Sequence, residues 1–156
     1  MTARRRSAVL AVALAAALVA AAARPAPAAW AYGSESEIAL EGSGSTWQVR
    51  ATVNGRLTGL FLLDTGATFC VLTPAAARRL GLAPGDRQVL LRTANGPVAA
   101  PLVELGTVEV GGNRAQGVEA VIQPAVEAPL DGIIGLTFLN RFSYSIIPSR
   151  RVLRLR

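Results

Sequence analysis

From residue 46 onward the chain consists of short stretches in which apolar and polar residues alternate, a period of two that is typical of strands with one buried face. Residues 47–53 alternate in this way. Residues 56–63 run back from them after Asn54-Gly55, a pair that favours the type I′ turn of a β-hairpin. Strands so short and so closely spaced predict an all-β, single-lobe domain whose mainly antiparallel sheet closes into a barrel. The remaining predicted strands cover residues 69–72, 88–92, 98–105, 107–110, 114–122, 142–147 and 152–155.

Two short helices are predicted between the strands. Thr73 suits an N-cap, Pro74 suits the first helical position and Gly81 suits a helix stop, so a compact helix is expected between them. A few helical residues are also expected over 136–140. The predicted fold class therefore remains all-β, with one or two short helices.

The first 31 residues differ in composition from the rest of the chain. Residues 1–6 are basic, and residues 8–23 form an unbroken run of small apolar side chains. Ala29-Trp30-Ala31 then offers a small-x-small cleavage site. We therefore predict a signal peptide over residues 1–31, export of the chain and a periplasmic location.

The alternative is an uncleaved N-terminal segment that anchors the protein in the inner membrane, facing the periplasm. The apolar run is shorter than the roughly 20 residues that a membrane-spanning helix needs, which favours cleavage. A mature chain that starts at Tyr32 would exclude the anchor, and only the uncleaved form would contact the membrane. Residues 32–45 are expected to be a flexible mature N-terminus, and residues 46–156 to form the folded domain.

The composition excludes several kinds of catalysis. The sequence contains no His, which rules out Ser-His-Asp and Cys-His nucleophile systems. Its single Cys, Cys70, can neither form an intrachain disulfide nor hold a structural zinc ion, and we expect it to fill the core. Neither a metal nor an organic cofactor is expected.

The net charge of +6 comes mainly from the two ends of the chain. All basic residues are Arg. Four lie before residue 32 and four after residue 149, and outside residues 1–31 twelve Arg face ten acids. No basic stripe with interleaved aromatic residues is found, so nucleic-acid binding is not expected.

One carboxylate lies in a position suited to chemistry. The segment Asp64-Thr65-Gly66-Ala67-Thr68 follows four large apolar residues, 60–63, so Asp64 is expected at a strand end where ionisation is costly. Thr65 offers a hydroxyl, and Gly66 permits a tight turn whose N–H groups approach the carboxylate. Taken alone, Asp-x-Gly favours a simple turn at the end of a strand over a catalytic site.

The order of two motifs is more informative than either motif alone. Asp64-Thr65-Gly66-Ala67-Thr68, followed by Ile133-Ile134-Gly135, resembles the retropepsins, the retroviral-type aspartic proteases, and most closely their secreted or membrane-anchored bacterial members. The resemblance extends from about residue 47 to the end. It implies a closed antiparallel acid-protease barrel over residues 46–156. It also implies that Asp64 is the catalytic acid and that the Ile-Ile-Gly strand packs beside its turn.

The resemblance also implies supporting and substrate-binding residues. The hairpin over residues 92–99 falls where the family has its substrate-covering flap. Residues expected to support the catalytic turn are Thr65, Gly66, Ala67 and Thr68, with Thr65 hydrogen-bonding across a dimer. Residues expected to contact substrate are Asn95, Gly96, Ile133, Ile134 and Gly135.

Aspartic proteolysis requires two carboxylates that share one proton: one activates a water, and the other donates to the peptide carbonyl. The sequence contains one Asp-Thr-Gly. The other acids of this type, Asp86 and Asp131, are not followed by a hydroxyl residue and Gly. The second Asp64 must therefore come from a second copy, which predicts a homodimer with the site on its two-fold axis and a protein or peptide substrate. Because retropepsin dimers interleave their termini, the strand over 152–155 is expected near the interface.

A function of another class remains open. The chain could be a catalytically silent periplasmic β-barrel that keeps the fold and groove as a binding or scaffolding module. The intact Asp64-Thr65-Gly66 favours the enzyme, because a silent module would be free to lose the acid.

Overall fold

The computed structural model describes residues 35–42, 46–93 and 96–156. The predicted export segment, residues 1–31, lies outside these ranges. Within them, no helix combines the length and the apolar character needed to cross a membrane.

Strands and short helices follow one another along the described ranges much as the alternation predicts. Residues 98–105 and 107–110 form one strand rather than two, because Leu105 and Thr107 both pair with the same neighbouring strand. The helices are α1 (Pro74–Leu80) and α2 (Leu136–Leu139), and Pro148–Arg150 forms a 3₁₀ turn. The strands are β1 (Ser36–Ala39), β2 (Gln48–Val53), β3 (Leu57–Leu63), β4 (Cys70–Leu72), β5 (Gln88–Thr93), β6 (Gly96–Val110), β7 (Asn113–Ile122), β8 (Leu130–Ile134), β9 (Tyr144–Ile147) and β10 (Val152–Leu155).

Six of the described strands close into a barrel in the order β2-β3-β8-β4-β7-β6, and pairing of residues 51–53 with 108–110 joins β6 back to β2. This confirms the predicted closed barrel. Two of its pairings, β3–β8 and β4–β7, are parallel, so the barrel is mixed rather than wholly antiparallel. Parallel neighbours need a long crossover connection, and α1, β5 and β6 separate β4 from β7 along the chain.

Alternation along the strands fills the barrel interior. In β2, Val49, Ala51 and Val53 are buried whereas Arg50 is exposed. Phe138 of α2 is also buried in this core, and its ring centroid lies 5.1 Å from that of Phe142. The short helix α2, which follows β8, is therefore stabilised by packing against the core rather than by its own few hydrogen bonds.

The local turn and cap predictions are confirmed. Asn54 and Gly55 have φ values of +52° and +62°, as the two central residues of a type I′ turn require. Thr73 caps α1 by accepting a hydrogen bond from the N–H of Ala76, and Gly81 ends the helix in the left-handed region. Cys70 is buried, as predicted.

Both ends of the described chain meet in a second sheet, of order β1-β10-β9. Residues 36–39 therefore form a strand inside the segment expected to be flexible. Ile38 packs onto Gly111, and Glu37 forms ion pairs with Arg150 at 2.6 Å and Arg154 at 2.8 Å, contacts that the polar, Gly-rich local sequence does not reveal. Since β10 has both edges paired within its own chain, a partner strand could extend this sheet only at β1 or β9.

The ion pairs of Glu37 predict a pH-dependent contribution to stability. Hydrogen bonds from Arg154 and Arg150 hold the pKa of Glu37 below its ordinary value. The stabilisation is therefore complete above the unfolded-state pKa and is lost as the pH falls through the folded-state pKa. We expect Glu37→Gln to lower the Tm by a few degrees at neutral pH and to leave it unchanged at strongly acidic pH. Because the pairs are exposed, added salt should shrink the neutral-pH difference. A Tm difference that persists in acid would contradict the ion-pair explanation.

Candidate active site

Asp64 lies at the start of a tight turn immediately after β3. The N–H of Gly66 donates to Asp64 Oδ1 at 2.8 Å, and the N–H of Ala67 donates to the Asp64 carbonyl oxygen at 3.3 Å. The Asp64 side chain is half-buried, whereas Thr65 and Gly66 are exposed. The turn thus orients one carboxylate by backbone hydrogen bonds and leaves it accessible.

The strand β8 and the residues after it hold this turn in place. The N–H of Asp64 donates to the Ile134 carbonyl oxygen at 3.1 Å, and the N–H of Leu136 donates to that of Ala67 at 2.8 Å. The two motifs therefore lie side by side, as the resemblance implied. Both contacts are between backbone atoms, so they depend on how closely the two segments approach.

Gly135 permits this close approach. A Cβ atom at this position would lie 2.7 Å from the carbonyl oxygen of Ala67 and would also overlap the carbonyl group of Phe69. Both obstructing groups are backbone, which cannot rotate away as a side chain can. Gly135 is therefore required by packing against the turn, not by an unusual φ angle.

No sequence motif marks Thr137 as part of the site, yet its hydroxyl and its N–H both bind the segment that follows the turn. Its hydroxyl accepts from the N–H of Cys70 at 2.9 Å and donates to the Glu119 carbonyl oxygen at 2.7 Å. Its own N–H donates to the Thr68 carbonyl oxygen at 3.0 Å. A Thr two residues after Ile133-Ile134-Gly135 is the signal that could have indicated it.

Cys70 lies beside the turn but has no chemical role in it. Its Sγ accepts a long hydrogen bond, 3.5 Å, from the N–H of Gly135. Burial raises the pKa of the Cys70 thiol, so the nucleophilic thiolate is disfavoured. The residue therefore fills space between β4 and β8.

A groove of about 740 Å³ opens above the Asp64 carboxylate. Its walls are mainly apolar and come from β4, β7, β8 and the β5 arm of the β5–β6 hairpin. Among the described residues that line it, Asp64 is the one acid and Arg92 the one base. The lining residues are Asp64, Gly66, Ala67, Thr68, Phe69, Val71, Leu90, Leu91, Arg92, Thr93, Val121, Gln123, Ala125 and Ile133.

The β5–β6 hairpin borders the groove, in the position predicted for the flap. Thr93 pairs with Gly96, and the predicted contact Asn95 lies outside the described ranges. Val89 and Leu91 pack against the small apolar cluster that contains Ile133, which anchors the hairpin to the groove wall.

The structure separates the residues predicted to contact substrate. Ile133 lines the groove, but Ile134 is buried in the main core, because successive residues of a strand point to opposite faces. Gly135 packs under the turn rather than facing the groove. Gly96 begins β6 and is not among the described residues that line the groove.

The two other Asp residues do not reach the groove wall. Asp131 forms an ion pair with Arg79 of α1 at 2.8 Å and lines a different, smaller hollow beside that helix. Asp86 is exposed in the loop before β5. Within the described part of the chain, one copy thus brings a single carboxylate to the groove.

A sequence model of the aspartyl protease family matches residues 49–138, more than half of the chain. The chain therefore belongs to the aspartyl protease family. Its structure is similar to the crystal structure of a retropepsin-like aspartic protease from Rickettsia conorii, with a TM-score of 0.57 and 24% sequence identity over 78% of this chain and 88% of that one. This likeness shows a shared fold and confirms the predicted retropepsin-like barrel. No curated protein matches the sequence.

Proposed function

We propose that the protein is an aspartic endopeptidase whose catalytic centre consists of Asp64 from each of two copies. The observation that carries the proposal is the turn itself. The N–H of Gly66 donates to the accessible Asp64 carboxylate, and the Ile134 carbonyl accepts from the N–H of Asp64. The carboxylate lines a groove beside the β5–β6 hairpin. A simple Asx-turn also makes the contact to Gly66, and what distinguishes this turn is the groove that its carboxylate lines.

In the proposed reaction, one Asp64 carboxylate takes a proton from a water that it holds between the two chains. That water attacks the peptide carbonyl carbon, while the protonated Asp64 of the partner subunit donates its proton to the carbonyl oxygen. Collapse of the tetrahedral intermediate breaks the C–N bond: the first Asp64 gives the proton that it gained to the leaving amine, and one hydroxyl of the intermediate returns a proton to the Asp64 of the partner subunit, so the pair again shares one proton. Two carboxylates that share one proton can perform both roles, since like charges so close cannot both ionise.

The proposed second carboxylate makes assembly a condition for activity. Among the described residues, one groove contains one acid, Asp64, so a single copy would lack the proton donor. Thr65 is exposed next to it, which suits a hydrogen bond to the same turn of the partner subunit. The symmetry of a two-fold homodimer brings identical turns together.

The groove suits an extended peptide. Phe69, Val71, Val121 and Ile133 give it apolar walls, and the β5–β6 hairpin lies where it could cover a bound chain. We propose apolar side chains on both sides of the cut bond. Export of the protein would place its substrates in the periplasm.

The proposal predicts that specific activity rises with enzyme concentration. A dilute enzyme should be largely monomeric and inert towards an unfolded protein at mildly acidic pH. Activity per chain should then reach a plateau as native mass spectrometry detects the dimer. Specific activity that stays constant at concentrations where only monomer is present would refute the shared site. A protein that is dimeric but never cuts would instead be the silent binding module.

A further inference from the structure

The hydroxyl of Thr137 lies at a junction of three elements. Thr137 is the second residue of α2, its hydroxyl oxygen accepts from the N–H of Cys70 in β4, and its hydroxyl hydrogen is donated to the carbonyl oxygen of Glu119 in β7. The direction of both bonds is fixed, because a backbone N–H can only donate and a carbonyl oxygen can only accept. The hydroxyl uses its donor and an acceptor site in these two bonds.

This junction lies where the parallel ladder of β4 and β7 begins. Cys70 pairs with Ala120 at the first position of that ladder. The N–H of Cys70 and the carbonyl of Glu119 therefore lie at the same edge of the ladder, where it starts. The Thr137 hydroxyl bridges them. From there the chain runs back through Phe69 and Thr68 to the Asp64 turn, so the bridge lies just beyond the end of that turn.

Residues 134–137 thus hold both ends of the turn. The Ile134 carbonyl accepts from the N–H of Asp64 at the start, and the N–H and hydroxyl of Thr137 bind Thr68 and Cys70 at the end. The backbone bonds are available to any residue at these positions. The bond to Cys70 requires a side chain that accepts a hydrogen bond, which here is the hydroxyl.

We infer that Thr137 is a positioning residue, whose hydroxyl sets the location of the Asp64 carboxylate through the segment from Thr68 to Cys70. The inference rests on the proposed function. Proton transfer through a water shared by two carboxylates tolerates little displacement, and a misplacement of about 1 Å can lower a rate by about 10²-fold.

Three substitutions of Thr137 separate the effect of its hydrogen bonds from the effect of its side-chain volume. Thr137→Val keeps the shape but leaves the N–H of Cys70 and the carbonyl of Glu119 without their partner, so β4 shifts or both groups stay unpaired. Thr137→Ser keeps the hydroxyl. In Thr137→Ala, water can enter from the open hollow of about 450 Å³ that Thr137 and Thr68 line, and it can bridge the two groups.

The test compares kcat and KM of these variants on one peptide, at enzyme concentrations where specific activity has reached its plateau. We expect Thr137→Val to lower kcat by about 10- to 100-fold with KM changed less than about twofold, following the cost of misplaced reacting groups. Thr137→Ser should restore kcat, and Thr137→Ala should fall between the two.

Thr73→Val is the matched control. It also removes a hydroxyl that accepts a backbone N–H, that of Ala76, but it does so in the cap of α1 beyond the opposite end of β4. It should lower the Tm about as much as Thr137→Val and leave kcat unchanged.

The outcomes separate this inference from the proposed function. If the wild-type chain cuts and Thr137→Val is equally fast, or if Thr73→Val is equally slow, the positioning role is overturned while the protease remains. If the wild-type chain cuts no peptide under any condition in which it is dimeric, the proposed function fails and the inference fails with it.

Discussion

Asp64→Asn is expected to abolish peptide cleavage while leaving the fold intact. Asn keeps an Oδ1 atom that can accept the hydrogen bond from Gly66, so the turn retains its backbone contacts. An amide can neither take a proton from water nor share one with the partner subunit. Because general acid–base catalysis contributes about 10²- to 10⁴-fold and both roles are lost, the rate should fall by roughly 10³-fold or more. The measurement is hydrolysis of an unfolded protein, with thermal unfolding as the check on folding.

Asp86→Asn provides the matched control, since it makes the same chemical change in an exposed loop outside the groove. It should keep full activity. An excess of Asp64→Asn mixed with wild type should lower the activity per wild-type chain, because most wild-type chains then occupy heterodimers with one carboxylate. An equal excess of Asp86→Asn should raise total activity. If the Asp64→Asn chains cut at the wild-type rate, another group performs the chemistry.

The elements that could be predicted from sequence are those that depend on neighbouring residues. The type I′ turn depends only on the φ angles that Asn54 and Gly55 can adopt. The helix cap depends on one hydrogen bond between Thr73 and a residue three positions later. Both features appear in the structure as expected. The order of Asp64-Thr65-Gly66 and the Ile-Ile-Gly strand carried the resemblance that implied the barrel, since that fold places the two motifs side by side.

The features that could not be predicted depend on contacts between distant segments. The strand β1 pairs with β10, which lies more than 100 residues away, and its Glu37 meets Arg150 and Arg154 there. The parallel pairings follow from crossover connections, which alternation along one strand does not encode. Ile133 and Ile134 are equally apolar, and only the orientation of β8 decides which one faces the groove.

The site therefore has two layers with different sequence signals. Asp64 and its exposed neighbour Thr65 belong to a motif that is visible in the sequence. The layer that holds it, residues 134–137, acts largely through backbone atoms and through one hydroxyl whose partners lie 18 and 67 residues away. Substitutions in the second layer should affect activity without touching substrate, and Gly135 gives the clearest case.

Gly135→Ala is expected to lower both stability and activity, although it adds only one methyl group. That methyl would meet the carbonyl oxygens of Ala67 and Phe69, so either the turn or β8 must move. Overpacking of a close contact costs about 1–3 kcal/mol, and we expect the upper end because the obstructing atoms are backbone. Displacement of the turn also moves Asp64 relative to its counterpart in the dimer, which should reduce cleavage by about 10²-fold even where the variant is folded.

Urea unfolding and cleavage assays at a temperature well below the Tm measure the two effects separately. Gly85→Ala is the matched control, because a Cβ atom at Gly85 meets no other atom within 4 Å and its φ angle is not in the left-handed region. It should leave both quantities unchanged. A Gly135→Ala protein as stable and as active as wild type would mean that β8 and the turn can separate without consequence. The position of Asp64 would then have to depend on contacts other than those of residues 134–137.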